Sequence, residues 1–185
     1  SINISIDERT VRNAMKKYTL LKDIHLSIEP GNMVMILGGS GAGKSTFVNA
    51  VTGYEKAKAV ITEGGVDYYK QYDQVKHRIG FVPQENLMRE EDTVEMTVSN
   101  AADLRLPATI SEEEKKRRVR MALETFGLTG REDTLVSKLS GGQKKRLSIC
   151  TEFVASPNLF ILDEPDSGLD GIMARGLMEN LRLIA

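Results

Sequence analysis

The chain has 185 residues and a formal net charge of −1, so it is long enough for one domain with a hydrophobic core. The small net charge argues against a basic surface for nucleic acid or anionic lipid, and the single cysteine excludes an internal disulfide bond. No apolar run is as long as a membrane span, and the first residues lack the pattern of a signal peptide. These features indicate a soluble domain of cytosolic character.

The first predicted elements are strands. Ile2, Ile4 and Ile6 alternate with polar residues, and a second alternating run lies within residues 20–28. Together they predict an antiparallel flap beside a parallel core. The continuous apolar run 33–37 predicts a strand that is buried on both faces.

A glycine-rich loop follows the run 33–37 and matches the phosphate-binding pattern G-x-x-x-x-G-K-[ST]. Apolar residues at helical spacing predict a helix after the loop, with an end near Gly53. Backbone N–H groups in such a loop bind phosphate oxygens, so we expect Lys44 to contact the terminal phosphates and the Ser45 hydroxyl to bind magnesium. The alternative is a glycine-rich turn that binds nothing. The predicted phosphate-binding residues are Gly38, Gly39, Ser40, Gly41, Ala42, Gly43, Lys44, Ser45 and Thr46.

The middle of the chain combines one strand with two helices. Residues 79–82 predict a strand that ends just before Gln84. One helix is predicted over 93–104, and a second begins at Ser111 with three acidic residues in its first turn. These helices predict a helical subdomain over about 87–139.

Three short motifs lie in the last part of the chain. Residues 139–143 (Leu-Ser-Gly-Gly-Gln) open a predicted helix, and 167–170 precede another one. Residues 159–162 predict a buried strand, which Asp163 and Glu164 follow directly. Two adjacent carboxylates at a strand end suit separate tasks, one on a metal ion and one beside a water molecule. The alternative is a solvated acidic turn.

These motifs, in their order along the chain, resemble the nucleotide-binding domain of an ABC transporter. In that family, 38–46 corresponds to the P-loop (Walker A), 82–84 to the Q-loop and 139–143 to the signature. Residues 159–164 correspond to the Walker B strand with its catalytic glutamate, and 167–170 to the D-loop. The resemblance covers essentially the whole chain.

The resemblance implies one ABC ATP-binding domain over residues 1–185 with an α/β fold. We expect a P-loop NTPase core with a mainly parallel sheet flanked by helices, an N-terminal antiparallel β subdomain, and a helical signature subdomain inserted at about 87–139. The sequence ends at Ala185, before the strand that carries the switch histidine of the family, and His25 and His77 lie too early to replace it. We therefore expect a C-terminally truncated domain that hydrolyses ATP weakly or not at all by itself.

The resemblance also implies ATP and Mg²⁺ as cofactors and assigns roles to individual residues. Glu164 is the expected catalytic base, and Gln84 contacts the nucleotide site. The expected metal ligands are Ser45, Gln84 and Asp163. The signature residues, which bind the ATP of a second ABC domain in a head-to-tail dimer, are Ser140, Gly141, Gly142 and Gln143. The D-loop residues are Ser167, Gly168, Leu169 and Asp170.

A finer resemblance concerns the G, or White, subfamily and related bacterial transporters. It rests on the segments 84–94, 104–107 and 144–149, and it implies an exporter. One position departs from the family pattern, and one residue of that pattern has no clear counterpart in this sequence. Asp166 stands where the family usually has Thr or Ser, and Tyr18 is only the nearest candidate for the residue that stacks on adenine.

The leading interpretation is the ATP-hydrolysing motor domain of a membrane transporter. It implies a transmembrane permease, in the same or another chain, and a location at the cytoplasmic face of the cell membrane. The first alternative is a soluble ABC ATPase in translation or DNA repair, and the second is a P-loop kinase or GTPase. The signature and D-loop argue against a kinase or GTPase. The lack of a basic surface argues against a nucleic-acid partner and against the soluble ATPase.

Overall fold

The computed structural model describes residues 1–185, and the chain divides into two compact units. The first unit comprises residues 1–76 together with Ala185, and the second comprises residues 77–184. No helix in either unit has both the length and the apolar composition that a membrane-spanning helix needs.

The first unit is built on a four-stranded antiparallel sheet. In the order β2-β1-β3-β4, its strands are Lys16–Ile28, Ile2–Asn13, Lys58–Glu63 and Val66–Asp67. The central strand β1 places Ile4 opposite Leu26 on one side and Ile61 on the other. Ile2, Ile4 and Ile6 are all buried, which confirms the face predicted from their alternation.

Two helices complete the first unit, α1 (Lys44–Thr52) and α2 (Tyr72–Val75). Helix α1 ends at Gly53 as predicted, where a φ of 78° requires the left-handed conformation that glycine adopts most easily. Its last turn contributes the buried residues Ala50 and Val51. The Tyr69 hydroxyl donates a hydrogen bond of 2.7 Å to the Ala50 carbonyl oxygen.

The apolar run 33–37 differs from its prediction. Its residues have no regular secondary structure, and their exposed fractions range from 40% at Met33 to 82% at Leu37. A strand forms only where a neighbouring strand supplies hydrogen-bond partners, and neither sheet pairs with this run. The prediction of a buried strand before the P-loop is therefore wrong, and the parallel pairing of this structure lies elsewhere in the chain.

The second unit contains one parallel strand pair and four helices. Strand β5 (Ile79–Val82) pairs in parallel with β6 (Leu159–Leu162). The helices are α3 (Val94–Arg105), α4 (Glu112–Thr125), α5 (Gly141–Phe153) and α6 (Gly171–Ile184). All four residues of β6 are half-buried rather than buried, because β6 has a neighbouring strand on one side only.

Local capping chemistry determines where the helices of the second unit begin. The Thr93 hydroxyl accepts a hydrogen bond from the Met96 N–H, and the Ser111 hydroxyl accepts one from the Glu114 N–H, each at 3.2 Å. Both helix starts agree with the sequence prediction. Helices α3 and α4 and a short 3₁₀ turn at Val136–Lys138 lie within the predicted helical range.

A partly buried polar contact joins α5 to β5 and α3. The Glu152 carboxylate accepts a hydrogen bond of 3.1 Å from the Phe81 N–H, which lies on β5, and pairs with Arg105 of α3. Burial raises the pKa of Glu152, and the nearby Arg105 opposes that rise. Glu152 therefore satisfies a backbone donor of β5 and fixes α5, the helix that begins at the signature, against it.

Candidate functional site

The glycine-rich loop 38–46 lies in the first unit and leads directly into α1. Gly41 and Gly43 adopt φ values of 78° and 92°, where residues with a Cβ atom are strained. The Ala42 N–H donates to the Gly39 carbonyl oxygen at 3.1 Å, which closes a tight turn inside the loop. The loop therefore has the backbone conformation and the helix N-terminus that phosphate binding requires.

Lys44 lies over its own loop. Its ammonium group donates hydrogen bonds to the carbonyl oxygens of Gly38 and Gly39, at 2.6 and 2.9 Å. Ser45 is exposed in the first turn of α1, so its hydroxyl is accessible to a ligand. The P-loop thus presents one cation and one accessible hydroxyl beside its glycines.

A second group of predicted site residues meets where β5 and β6 end. Val82 and Leu162 are paired at the carboxyl ends of these strands, and the Asp163 N–H extends the pairing with a 2.9 Å hydrogen bond to the Val82 carbonyl oxygen. The Gln84 side-chain amide nitrogen donates to the Ser167 hydroxyl at 3.3 Å. The Q-loop, the Walker B strand and the D-loop are therefore brought together, as a parallel pair predicts.

The Asp163 carboxylate and the Gln84 amide oxygen suit a hard cation such as Mg²⁺, which prefers oxygen ligands. The structure contains no group of three or more His, Cys, Asp or Glu side chains that could hold a metal ion. In nucleotide sites, Mg²⁺ is usually bound by one or two protein oxygens together with phosphate oxygens and water. Ser45 belongs to the first unit and these two residues to the second.

Glu164 has an unusual backbone conformation. Its φ is 44°, in the left-handed region, and its carbonyl oxygen accepts a 3.0 Å hydrogen bond from the Ser167 N–H. A non-glycine residue held in this region costs on the order of 1–3 kcal/mol, and such residues cluster at functional sites. The Glu164 side chain is exposed at the end of the Walker B strand.

The signature forms the N-terminus of α5 through a reciprocal capping box. The Ser140 hydroxyl accepts from the Gln143 N–H at 3.3 Å, and the Gln143 side-chain oxygen accepts from the Ser140 N–H at 2.9 Å. Gly141 is exposed, whereas a Cβ atom at Gly142 would lie 3.2 Å from the sulfur of Met173. The glycines therefore keep the first turn of α5 open on one side and closely packed on the other.

The D-loop is a tight turn that leads into α6. The Leu169 N–H donates to the Asp166 carbonyl oxygen at 3.1 Å, and Gly168 has a φ of 76°. The Asp170 carboxylate accepts hydrogen bonds from the N–H groups of Ile172 and Met173, at 3.0 and 2.9 Å, and so caps α6. Asp166 thus contributes to the turn through its backbone.

Sequence reasoning missed one residue beside this group, the buried Lys145. Its side chain on α5 is 3% exposed, and its ammonium group donates to the carbonyl oxygens of Gln84 and Pro83, at 2.7 and 3.4 Å. Burial lowers the pKa of Lys145, and the Asp163 carboxylate opposes that change. Lys145 stands between the basic residues Lys144 and Arg146, a pattern typical of a surface, so no sequence signal indicated its burial.

Two residues named in the sequence analysis remain outside these groups, the adenine-stacking candidate Tyr18 and His25, which lies too early to be the switch histidine. Tyr18 lies on β2 and is about half exposed, at 48%. His25 lies on the same strand and shares a 2.9 Å hydrogen bond with the Ser5 hydroxyl.

Comparison with known proteins decides the family. The family model described as ABC transporter matches residues 21–167, which is most of the chain. The chain belongs to this family. It is an ABC ATP-binding domain, and ATP binding and hydrolysis are general properties of such domains.

Two curated relatives resemble this ABC domain over almost its whole length. An ABC transporter ATP-binding/permease protein of Mycobacterium tuberculosis is 40% identical over 168 residues, 90% of this chain and 19% of the relative. ABC transporter G family member 22 of Arabidopsis thaliana is 36% identical over 180 residues, 89% of this chain and 23% of the relative. The chain thus spans about a fifth of the length of these relatives. The predicted likeness to the G subfamily is confirmed at the level of homology.

A solved structure agrees with this assignment. A component of an ABC transporter complex from Clostridium perfringens matches with a TM-score of 0.85 and 30% identity, over 98% of this chain and 72% of that one. The ABC domain therefore has the mixed α/β fold of its family, with an N-terminal antiparallel sheet, a parallel pair and helices.

Proposed function

We propose that this ABC domain binds Mg-ATP and hydrolyses it to drive a membrane transporter. Its homology to G-family transporters supports an exporter. The observation that supports this most is the convergence of Gln84, Asp163 and Ser167 beside Glu164. Residues from three separate motifs meet there. Gln84, Asp163 and Glu164 have the chemistry of metal ligands and a general base, which phosphoryl transfer to water requires.

The phosphate groups bind to the P-loop in this proposal. The backbone N–H groups of residues 38–46 and the N-terminus of α1 contact phosphate oxygens, and Lys44 neutralises charge on the terminal phosphates. The candidate ligands of Mg²⁺ are Ser45 in the first unit and Gln84 and Asp163 in the second, and each would bind the ion directly or through water. When bound, Mg²⁺ neutralises charge that develops on the phosphate oxygens.

Glu164 acts as the general base. Its carboxylate orients the attacking water and accepts its proton, while the neighbouring Asp163 carboxylate serves the metal ion. The left-handed backbone at Glu164 supports this role, because strain at an exposed acidic residue is retained where the side-chain direction matters.

A second ABC domain completes the site. Ser140, Gly141, Gly142 and Gln143 bind the γ-phosphate of ATP that is held by the P-loop of the partner, in a head-to-tail dimer. The N-terminus of α5 supplies N–H groups and a favourable dipole for that anion. The D-loop residues Ser167, Gly168, Leu169 and Asp170 lie at the dimer contact, and loss of the γ-phosphate loosens the dimer.

The work of this cycle is coupled to a transmembrane permease at the cytoplasmic face of the cell membrane. Names that include transporter or permease recur among the relatives. Within the first unit, the unpaired run 33–37 leaves the start of the P-loop without a strand to anchor it. We therefore expect this chain by itself to hydrolyse ATP slowly.

Nucleotide binding tests the proposal first. A thermal shift assay with millimolar Mg-ATP should raise the melting temperature, since a ligand at a hundred times its Kd stabilises the fold by about 2.7 kcal/mol. Lys44→Ala should remove most of that shift, because the variant loses the cation beside Gly38 and Gly39. A wild-type protein whose melting temperature does not respond to Mg-ATP would contradict the proposal.

A further inference from the structure

A buried ammonium group joins the signature helix to the Q-loop. Lys145, on α5, is 3% exposed, although lysine is among the residues that are least often fully buried. Removing an ammonium group from water is costly unless hydrogen bonds replace the lost hydration. Its bonds to the carbonyl oxygens of Gln84 and Pro83 supply that replacement.

An apolar side chain would avoid this cost, and replacing buried charges with apolar groups is often neutral or stabilising. Packing alone therefore does not account for a lysine at this position. The ammonium group constrains the position of the Gln84 backbone, because its hydrogen bond holds the Gln84 carbonyl oxygen 2.7 Å from Nζ.

Three contacts hold the segment 82–84 in place. The Val82 carbonyl oxygen accepts from the Asp163 N–H, the Gln84 side-chain nitrogen donates to Ser167, and the Gln84 carbonyl oxygen accepts from Lys145. Because the nitrogen end of the Gln84 amide contacts Ser167, the oxygen end is the one that can bind a cation. Lys145 is the only one of these three partners that lies on the signature helix.

We infer that Lys145 is a positioning residue for Mg²⁺, which it serves by fixing the backbone of Gln84 rather than by touching the metal ion. The inference rests on the proposed function, in which Gln84 is a metal ligand. Residues that orient metal ligands typically change metal affinity by about 10- to 100-fold when they are replaced.

The test compares nucleotide binding with and without magnesium. Lys145→Met keeps the side chain to the length of Cε but removes every donor, and Glu164→Gln as a common background prevents ATP from being consumed. The Kd for ATP is measured by calorimetry in EDTA and during a Mg²⁺ titration. The Mg²⁺ concentration that produces half of the maximal decrease in the Kd for ATP should rise about ten-fold in Lys145→Met. The Kd for ATP in EDTA should stay within about two-fold of its value in the background protein.

Lys144→Met is the matched control. Lys144 is the preceding residue on α5, and its ammonium group pairs with Glu90 at 2.7 Å, so the variant removes the same charge without touching Gln84. It should leave both the Mg²⁺ requirement and the Kd in EDTA unchanged. If Lys145→Met does not fold, Lys145→Leu replaces it, because leucine is also apolar and carries no hydrogen-bond donor.

Two results would overturn the inference. One is an unchanged Mg²⁺ requirement in the Lys145 variant, and the other is an equal loss of ATP affinity with and without Mg²⁺, which would indicate general damage to the site. Failure of the proposed function has a different signature, since the background protein itself would then bind no Mg-ATP.

Discussion

Replacing Ser140 separates the structural role of the signature from its proposed role in binding phosphate. In Ser140→Ala, the first turn of α5 loses the hydroxyl that accepts from the Gln143 N–H. Loss of a serine N-cap typically costs about 1 kcal/mol, within a range of about 0.5–2. For a chain of this size, that cost lowers the melting temperature by about 2–4 °C. Urea denaturation without nucleotide measures the loss.

Ser140→Asp restores the cap but not the proposed phosphate contact. Aspartate caps helices about as well as serine, and its charge also favours the helix N-terminus. The same charge repels a γ-phosphate, so this variant should have wild-type stability yet fail to form ATP-dependent dimers. Analytical ultracentrifugation on a Glu164→Gln background measures dimerisation. Normal dimerisation of Ser140→Asp would refute the proposed phosphate contact, and unchanged stability of Ser140→Ala would refute the capping argument.

Two further predictions concern stability. Gly80→Ala should lower the free energy of unfolding by about 1–3 kcal/mol in urea denaturation, because the new Cβ atom would lie 2.9 Å from the ring of Phe160. Gly176→Ala on α6 is the control and should be neutral or stabilising, because a Cβ atom there meets nothing within 4 Å. Equal effects of the two substitutions would contradict this prediction. Hydrogen bonds from Arg117 and Arg118, about one turn further along α4, lower the pKa of Glu114 from 4.5 to about 2. The Glu114 carboxylate therefore stabilises the fold above pH 4.5, and this stabilisation is lost as the pH falls towards 2. The difference in melting temperature between wild type and Glu114→Gln should therefore shrink over that range, and a difference independent of pH would contradict the assignment.

Features that depend on local pattern could be predicted from the sequence. The alternation of Ile2, Ile4 and Ile6 has the period of a strand with one buried face, and the structure buries all three. Ser111 and Ser140 have side chains that accept hydrogen bonds from the first turn of a helix, so both helix starts could be located in advance.

Features that depend on residues distant in the sequence could not be predicted from it. The run 33–37 has the composition of a buried strand, but whether it forms one depends on pairing with another segment, which composition does not encode. Lys145 lies in a basic sequence typical of a surface, and its burial follows from carbonyl oxygens about sixty residues earlier in the chain. The resemblance to the ABC family implied that Gln84 and Asp163 are ligands of one metal ion, and in the structure both residues follow strands of one parallel pair.

The most direct test of the account is the Glu164→Gln variant of the full-length protein. Steady-state ATPase activity and the mass of the ATP-bound species are measured side by side with the wild type. Loss of a positioned general base should lower turnover by about 10²–10⁴-fold. ATP binding should be retained, and ATP-bound dimers should accumulate because hydrolysis no longer loosens them. Wild-type turnover in this variant would contradict the assignment of Glu164 as the general base.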